Sequence, residues 1–177
     1  MAVLCDWEIQ ARCLGSQMVT PFEPELLNPA SLDVRLGDEL MIEVMDSREL
    51  IRVDISDRTK ENPYLLLPGE FCLAHTVEEF CLPEDISAQF VLKSSRARAG
   101  LNHLLAGWCD PGWGTSGSSV LTLELKNERR HHSIELFPGM AIGQLVFLFM
   151  SNIPAKHYGL PGVGHYNNHK TVMPSVV

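Results

Sequence analysis

Short apolar stretches divided by turn residues dominate this 177-residue chain and restrict the folds that it can adopt. Segments such as "SLDVRLGD", "AQFVL" and "SVLTLELKN" are separated by turns that contain Pro and Gly. Several segments alternate apolar and polar residues with a period of two, as Leu121, Leu123 and Leu125 do with Thr122 and Glu124. That period is typical of half-buried strands. We therefore predict a mainly β domain of sandwich or barrel type.

One segment near the N-terminus has helical spacing instead. "CDWEIQARCLG" places Trp7, Ala11 and Leu14 on one face, with Asp6 as the expected cap and Gly15 as the expected end. The pattern predicts one short amphipathic helix.

The rest of the chain contains no βαβ pattern, internal repeat or linker, and 45% of its residues are hydrophobic. We therefore predict a single domain over residues 1–177 with one core. Residues 159–177, "GLPGVGHYNNHKTVMPSVV", are glycine-rich and then polar. This segment is predicted to be a closing lid, with a loose tail as the alternative.

Charge and cysteine usage exclude several classes of protein. The formal net charge of -8 argues against a nucleic-acid partner, because phosphate backbones attract basic surfaces. The five cysteines are odd in number and lack any CxxC motif, so they indicate neither a disulfide framework nor a zinc site. No signal peptide and no apolar run of membrane-spanning length occurs. We predict a cytoplasmic protein with no membrane partner.

A local basic cluster stands out in this acidic chain. The stretch "FVLKSSRARAGL" contains Lys93, Arg96 and Arg98 together with Ser94 and Ser95. One interpretation is an exposed, solvated face. The other is a site for a small anion, because a strand that ends at "QFVLK" would bring hydroxyls, backbone N–H groups and guanidiniums together around phosphate oxygens.

Other candidate residues have plain structural explanations. Periodicity alone makes Glu124 an ordinary surface carboxylate, and Asp110 in "WCDPGWG" is a typical turn former. His165 and His169 stand four apart without helical spacing and do not predict a metal site. Cys109 is predicted to be a small buried apolar residue. The motifs GxxxxGK[ST] and GxSxG are absent from the sequence.

Four stretches follow one another in an informative order: "NPASLDVRLGDEL", "LLPGEFCLAHTVEEFCLPEDISAQFVLKSSRARAGL", "AGWCDPGWGTSGSSVLTLELKN", and "LFPGMAIGQLVF" followed by "HYNNHKTVMPS". Together they resemble the dCTP deaminase family of the trimeric dUTPase superfamily, from about residue 28 to the end. The resemblance implies a distorted jelly-roll-like β-barrel with a short N-terminal helix. It also implies a homotrimer whose active sites are shared between subunits.

The resemblance assigns roles to particular residues. Glu124 would be the catalytic glutamate, Arg98 would orient it, and Ser94 with the backbone of Ala106 would hold the attacking water. Asp110 would hold the 3'-hydroxyl of the deoxyribose. The triphosphate turn would consist of Lys93, Ser94, Ser95, Arg96, Ala97 and Arg98. Thr122 and Leu123 would supply backbone groups beside the base. The remaining implied substrate contacts are Tyr158, His165, Tyr166, His169 and Lys170.

The implied chemistry is hydrolytic deamination of a cytosine base. Zinc deaminases use an H-x-E and a P-C-x-x-C motif, and neither occurs in this sequence. We therefore expect no zinc and no metal ligands from protein side chains, with Glu124 acting as general base and then as general acid in a pocket. Mg²⁺ would accompany the triphosphate of the substrate.

The chain also departs from the family pattern. The connection between Trp113 and Glu124 is longer than is usual in the family, with the extra length in residues 114–120. His165 stands where the family usually has Lys, and His169 where it usually has Gln. We expect weaker or pH-dependent substrate binding, or a preference for a modified cytosine nucleotide.

Several functions stay open at this point. The leading one is conversion of dCTP to dUTP and ammonia. A bifunctional enzyme would also cleave dUTP to dUMP and pyrophosphate, and a non-catalytic nucleotide-binding regulator is a third possibility. A dedicated dUTPase is disfavoured, because its glycine-rich C-terminal motif is absent and "LTLEL" supplies the deaminase glutamate.

Overall fold

The computed structural model describes residues 2–115 and 117–176. A curled sheet of eleven strands forms most of the fold, and a two-stranded sheet accompanies it. The strands are β1 (Ala2–Val3), β2 (Val19–Thr20), β3 (Leu27–Asn28), β4 (Ser31–Ile42), β5 (Ile51–Asp54), β6 (Tyr64–Leu66), β7 (Phe71–Phe80), β8 (Ile86–Leu92), β9 (Leu101–His103), β10 (Trp108–Cys109), β11 (Ser119–Asn127), β12 (Ile134–Leu136) and β13 (Ala141–Phe149). The helices are α1 (Asp6–Ser16), α2 (Ser94–Arg98) and a 3-10 turn at Pro24–Leu26.

All strand pairs in the described residues are antiparallel. The main path through the large sheet is β10-β8-β13-β4-β7-β11-β9. Strand β1 pairs with β13, β2 with β7, and both β3 and β5 with β4, while β6 and β12 form the separate pair. None of the described helices is long and apolar enough to cross a membrane.

Strand β11 shows how the sequence pattern becomes a core. Leu121, Leu123 and Leu125 are all buried, whereas Thr122 and Glu124 between them are only partly buried. The predicted alternation of β11 is therefore confirmed. Leucines with this spacing point into the curl of the sheet, where they join the main hydrophobic cluster.

Helix α1 forms where its spacing predicts a helix, but the predicted buried face is wrong. Ile9 and Cys13 are buried against the sheet, whereas Trp7 and Leu14 have 67% and 68% of their surface exposed. Ile9 and Cys13 are four residues apart and have the same helical spacing as the predicted set. Periodicity alone cannot choose between the faces of a helix with apolar residues on both sides.

The ends of α1 also differ slightly from the prediction. Cys5, and not Asp6, is the N-cap, and its backbone N–H donates to Glu8 Oε2 at 2.9 Å. The helix continues past Gly15 to Ser16. A carboxylate three residues after the cap satisfies a backbone donor that has no partner within the helix.

The C-terminal segment covers the other face of the sheet. Met41 of β4 and Leu73 of β7 each neighbour core residues in their strands and therefore point away from the main core. Both pack against Val172, which is completely buried. Arg52 of β5 fixes this contact by donating to the backbone oxygen of Val172 at 3.1 Å. A face that would otherwise meet solvent is thus enclosed by the last residues of the chain.

Candidate active site

Glu124 lies on the sheet face that the C-terminal segment covers. In the β7–β11 pairing it stands directly opposite Leu73, so both side chains point to the same face. Its side chain is 26% exposed and lines a cavity of about 470 Å³. The side chain therefore faces a pocket, as predicted from the family resemblance. Periodicity alone favours a surface carboxylate, because it cannot detect a distant segment that covers a polar face.

The cavity combines a mainly apolar wall, which includes five aromatic side chains, with a few polar groups. Such a composition is typical of small-molecule sites, and the volume lies in their usual range. Among the described residues, only Asp110 and Glu124 bring carboxylates to it. The lining residues are Leu50, Phe71, Leu73, Ala106, Trp108, Cys109, Asp110, Trp113, Val120, Leu121, Thr122, Glu124, Tyr158, Tyr166, His169, Met173, Pro174 and Ser175.

The turn that follows β10 positions Asp110. The Trp113 N–H donates to the backbone oxygen of Asp110 at 3.2 Å, and Gly112 adopts a φ of +81°, which favours glycine. Trp108 Nε1 donates to Asp110 Oδ1 at 2.9 Å. The carboxylate is thus held at the cavity wall by a neighbouring indole and by the geometry of the turn.

Trp113 joins this turn to the C-terminal segment. Its ring stacks on Phe80 with 5.6 Å between centroids, and its Nε1 donates to the backbone oxygen of Tyr166 at 2.7 Å. Gly114 follows with a φ of +82°, and a Cβ at this position would stand 1.9 Å from the Phe80 backbone oxygen. Only glycine allows the turn to approach β7 so closely.

Further hydrogen bonds attach the C-terminal segment along β11. The Val120 N–H donates to the oxygen of His169 at 2.9 Å, and the Met173 N–H donates to Thr122 Oγ1 at 3.3 Å. Tyr158 closes the opposite side, where its hydroxyl accepts from the Tyr166 N–H at 2.9 Å. The segment therefore forms one wall of the cavity.

The structure brings together seven of the residues that the family resemblance selects. They lie on β11, in the loop and turn before it, at Tyr158, and in the C-terminal segment that follows Tyr158. The residues that share the cavity are Ala106, Asp110, Thr122, Glu124, Tyr158, Tyr166 and His169.

The basic cluster does not line this cavity in a single chain. The predicted turn is a five-residue helix, α2, because its successive backbone N–H groups bond back to Lys93 and Ser95. Lys93 forms an ion pair with Asp33, and Arg96 Nε donates to the oxygen of Ala141 at 2.9 Å. The exposed residues of the cluster are Ser94, Ser95, Ala97 and Arg98.

Three other predicted substrate contacts also lie outside the cavity. Leu123 is completely buried in the main core, so its side chain faces away from the pocket and only its backbone could contact a base, as the resemblance implies. His165 is exposed. The Lys170 ammonium donates to Glu79 of β7 and to Ser118. Ser118 belongs to the turn over residues 114–120, of which residue 116 lies outside the described part.

Cys109 in the cavity wall and Glu79 outside the cavity both have shifted pKa values. Burial raises the pKa of the Cys109 thiol to about 12, so the thiol stays protonated at neutral pH. This agrees with the prediction of a small buried apolar residue, since Cys109 is 4% exposed. Outside the cavity, the hydrogen bond from Lys170, together with that from Ser118, lowers the pKa of the Glu79 carboxyl.

Sequence reasoning missed His103 and Trp108. His103 Nε2 lies 3.2 Å from Glu124 Oε2, a contact created by the pairing of β9 with β11. No local spacing predicts this contact. A signal did exist for Trp108, because a residue two positions before Asp110 on an extended strand points to the same side.

The fold is antiparallel β, and its cavity places two carboxylates among apolar and aromatic side chains. This combination is typical of β domains that bind small molecules. A family model described as dCTP deaminase-like matches residues 3–150, and the chain belongs to this family. The predicted family and the predicted mainly β fold are thereby confirmed.

Curated relatives match over nearly the whole chain. A protein of Acidothermus cellulolyticus named "dCTP deaminase, dUMP-forming" is 37% identical over 98% of this chain and 94% of its own length. A protein of the same name from Mycobacterium ulcerans is 39% identical over 95% of this chain and 90% of its own.

A solved structure supports the fold independently. The 2'-deoxycytidine 5'-triphosphate deaminase of Agrobacterium tumefaciens superimposes with a TM-score of 0.66, at 24% identity over 84% of this chain. The present chain spans about half, 48%, of the length of that chain.

Proposed function

We propose that this protein converts dCTP to dUMP in two hydrolytic steps, releasing ammonia and pyrophosphate. The observation that carries the proposal is the Glu124 carboxylate, which lines a nucleoside-sized cavity together with Asp110 and Thr122. The relatives named "dCTP deaminase, dUMP-forming" favour this bifunctional alternative over simple conversion of dCTP to dUTP.

In the first step, Glu124 takes a proton from a water whose oxygen bonds to C4 of the cytosine. The proton passes to N3, which gives a tetrahedral intermediate. Glu124 then moves the remaining hydroxyl proton to the amino group, the C4–N4 bond breaks, and ammonia leaves a uracil carbonyl behind. A carboxylate among apolar walls suits both roles, because bulk water does not compete for the proton.

In the second step, another water attacks phosphorus and the bond between the α-phosphate and the pyrophosphate breaks. Asp110 is proposed to hold the 3'-hydroxyl and thereby the position of the sugar during both steps. Mg²⁺ enters as part of the triphosphate substrate, where it offsets repulsion between the polyphosphate and a chain of net charge -8.

We further propose a homotrimer with shared active sites. Ser94 and Arg98 are exposed and do not line the cavity of their own chain, so they would act in the cavity of a neighbour. The loop beside Ala106 leaves Leu105 93% exposed and Trp108 50% exposed. Large apolar side chains next to a site are typical of surfaces that another chain covers.

The proposal extends to the C-terminal segment and to location. Residues 159–177 are proposed to be a lid over the nucleotide, with Val177 outside the described residues. A reducing cytoplasm suits a nucleotide enzyme with five free cysteines.

The direct test is incubation of the purified protein with dCTP, dCMP or dUTP and Mg²⁺, followed by separation of the products. The proposal predicts ammonia, dUMP and pyrophosphate from dCTP. Glu124→Gln should lower ammonia release by about 10²- to 10⁴-fold, the usual contribution of general acid–base catalysis. Near-normal deamination by this variant would overturn the assignment, and unchanged nucleotides with the wild type would indicate a binding protein.

Shared sites can be tested by mixing two inactive variants. Glu124→Gln and Arg98→Ala are co-expressed with different tags so that mixed trimers form. Random assembly leaves about a quarter of the sites with both wild-type residues, so roughly that fraction of the activity should return. If Glu124 and Arg98 act within one chain, the mixture stays inactive.

A further inference from the structure

We infer that His103 is a positioning residue that holds the Glu124 carboxylate in the orientation needed for deamination. The inference rests on the proposed function and extends it to a residue outside the matched family motifs. The inferred role concerns deamination of the cytosine ring and not cleavage of the triphosphate.

The contact between the two residues is buried. His103 Nε2 and Glu124 Oε2 lie 3.2 Å apart, and His103 is 6% exposed. Both atoms are shielded from solvent, and neither has a hydrogen-bond partner elsewhere among the described residues. The separation is that of a hydrogen bond although the angle is poor, and catalytic hydrogen bonds often align only when substrate binds.

The backbone and one aromatic ring restrict the imidazole. His103 pairs with Leu125 in the β9–β11 ladder, and the Leu104 N–H donates to the backbone oxygen of Glu124 at 3.1 Å. The Phe90 ring lies 4.6 Å from the imidazole, centroid to centroid. The ring therefore has little freedom to turn away from the carboxylate.

This arrangement gives the two oxygens of the Glu124 carboxylate different partners. A neutral imidazole with its proton on Nε2 donates to Oε2 and leaves Oε1 for the cavity. The water and N3 would then always meet the same oxygen, in a fixed plane. Fixing a catalytic group in this way matters because a displacement of about 1 Å can cost roughly 10² in rate.

Kinetics of three variants test the role. His103→Leu removes the donor, and His103→Gln keeps an N–H donor of similar reach. His75→Leu is the matched control, because His75 is also a buried histidine, 7% exposed, and does not line the cavity. We expect His103→Leu to lower kcat for deamination by about 10- to 100-fold with KM nearly unchanged, and Gln to restore most of it.

The second activity separates this role from general damage to the fold. His103→Leu should still cleave dUTP to dUMP at close to the wild-type rate, since the proposed role of Glu124 is confined to proton transfer at the cytosine ring. Equal losses in both reactions, no rescue by Gln, or an equal loss in His75→Leu would overturn the inference.

A readout that needs no activity keeps the inference distinct from the proposed function. Nitrogen-15 spectra of the imidazole should identify His103 as the tautomer protonated at Nε2. Its Nε2 resonance should shift in Glu124→Leu and stay unchanged in Asp110→Asn. An Nδ1-protonated ring, or a resonance indifferent to Glu124→Leu, would refute the positioning role even if dCTP is deaminated.

Discussion

Val172 should control how firmly the C-terminal segment is held over the cavity. Its side chain is fully buried between Met41 and Leu73. Val172→Ala removes the equivalent of two methylene groups at about 0.8 kcal/mol each, plus a small cavity term, for a total of about 2 kcal/mol. About 1.4 kcal/mol corresponds to a factor of ten in an equilibrium constant. The fraction of molecules in which the C-terminal segment is detached from the sheet should therefore rise roughly 30-fold.

Hydrogen exchange read by mass spectrometry is the appropriate assay, with peptides from the C-terminal segment compared with peptides from β4 and β7. We expect exchange in the segment to accelerate by roughly the same factor while β4 and β7 change little. KM for dCTP should rise as well, since the segment forms a cavity wall. Val176→Ala is the control, because Val176 is 52% exposed. Unchanged exchange in the segment, or equal acceleration in the strands, would refute the reasoning.

Three further predictions concern single contacts. Trp108→Phe keeps an aromatic wall but loses the hydrogen bond to Asp110, so steady-state kinetics should give a KM about three- to tenfold higher with little change in kcat. Lys170 holds the pKa of Glu79 below its ordinary 4.5, so this attachment is complete at neutral pH and is lost as the pH falls through the lowered value. Lys170→Met should abolish that acid-dependent release in hydrogen exchange. Gly114→Ala should lower the free energy of unfolding by about 1–3 kcal/mol in denaturant titration, because of its positive φ and the close backbone oxygen.

The local features of the fold were predictable from the sequence because they depend on neighbours in the chain. The alternation of Leu121, Leu123 and Leu125 predicts β11, and Pro-Gly after Asp110 predicts the turn. The buried face of α1 was not predictable, since two apolar faces with equal spacing compete and only packing on the sheet selects Ile9 and Cys13.

The environment of the candidate site depended on contacts between distant segments. The strand pattern alone predicts that Glu124 is a surface residue. The packing of Val172 on the same face of the sheet shows that the C-terminal segment covers this face. His103 is a single histidine in an apolar stretch, and only the β9–β11 pairing brings it to the carboxylate. Residue spacing left the exposure of Arg98 open, because the basic cluster fitted both a solvated face and an anion site, and the structure shows that Arg98 is exposed.

If the C-terminal segment acts as the proposed lid, the packing of Val172 sets how long a nucleotide stays bound. A larger and better packed side chain would then retain the substrate for longer, and also the proposed product dUMP. Rapid turnover by the proposed enzyme would require this contact to open once in every cycle. The most stable variant at this position should therefore not be the fastest enzyme.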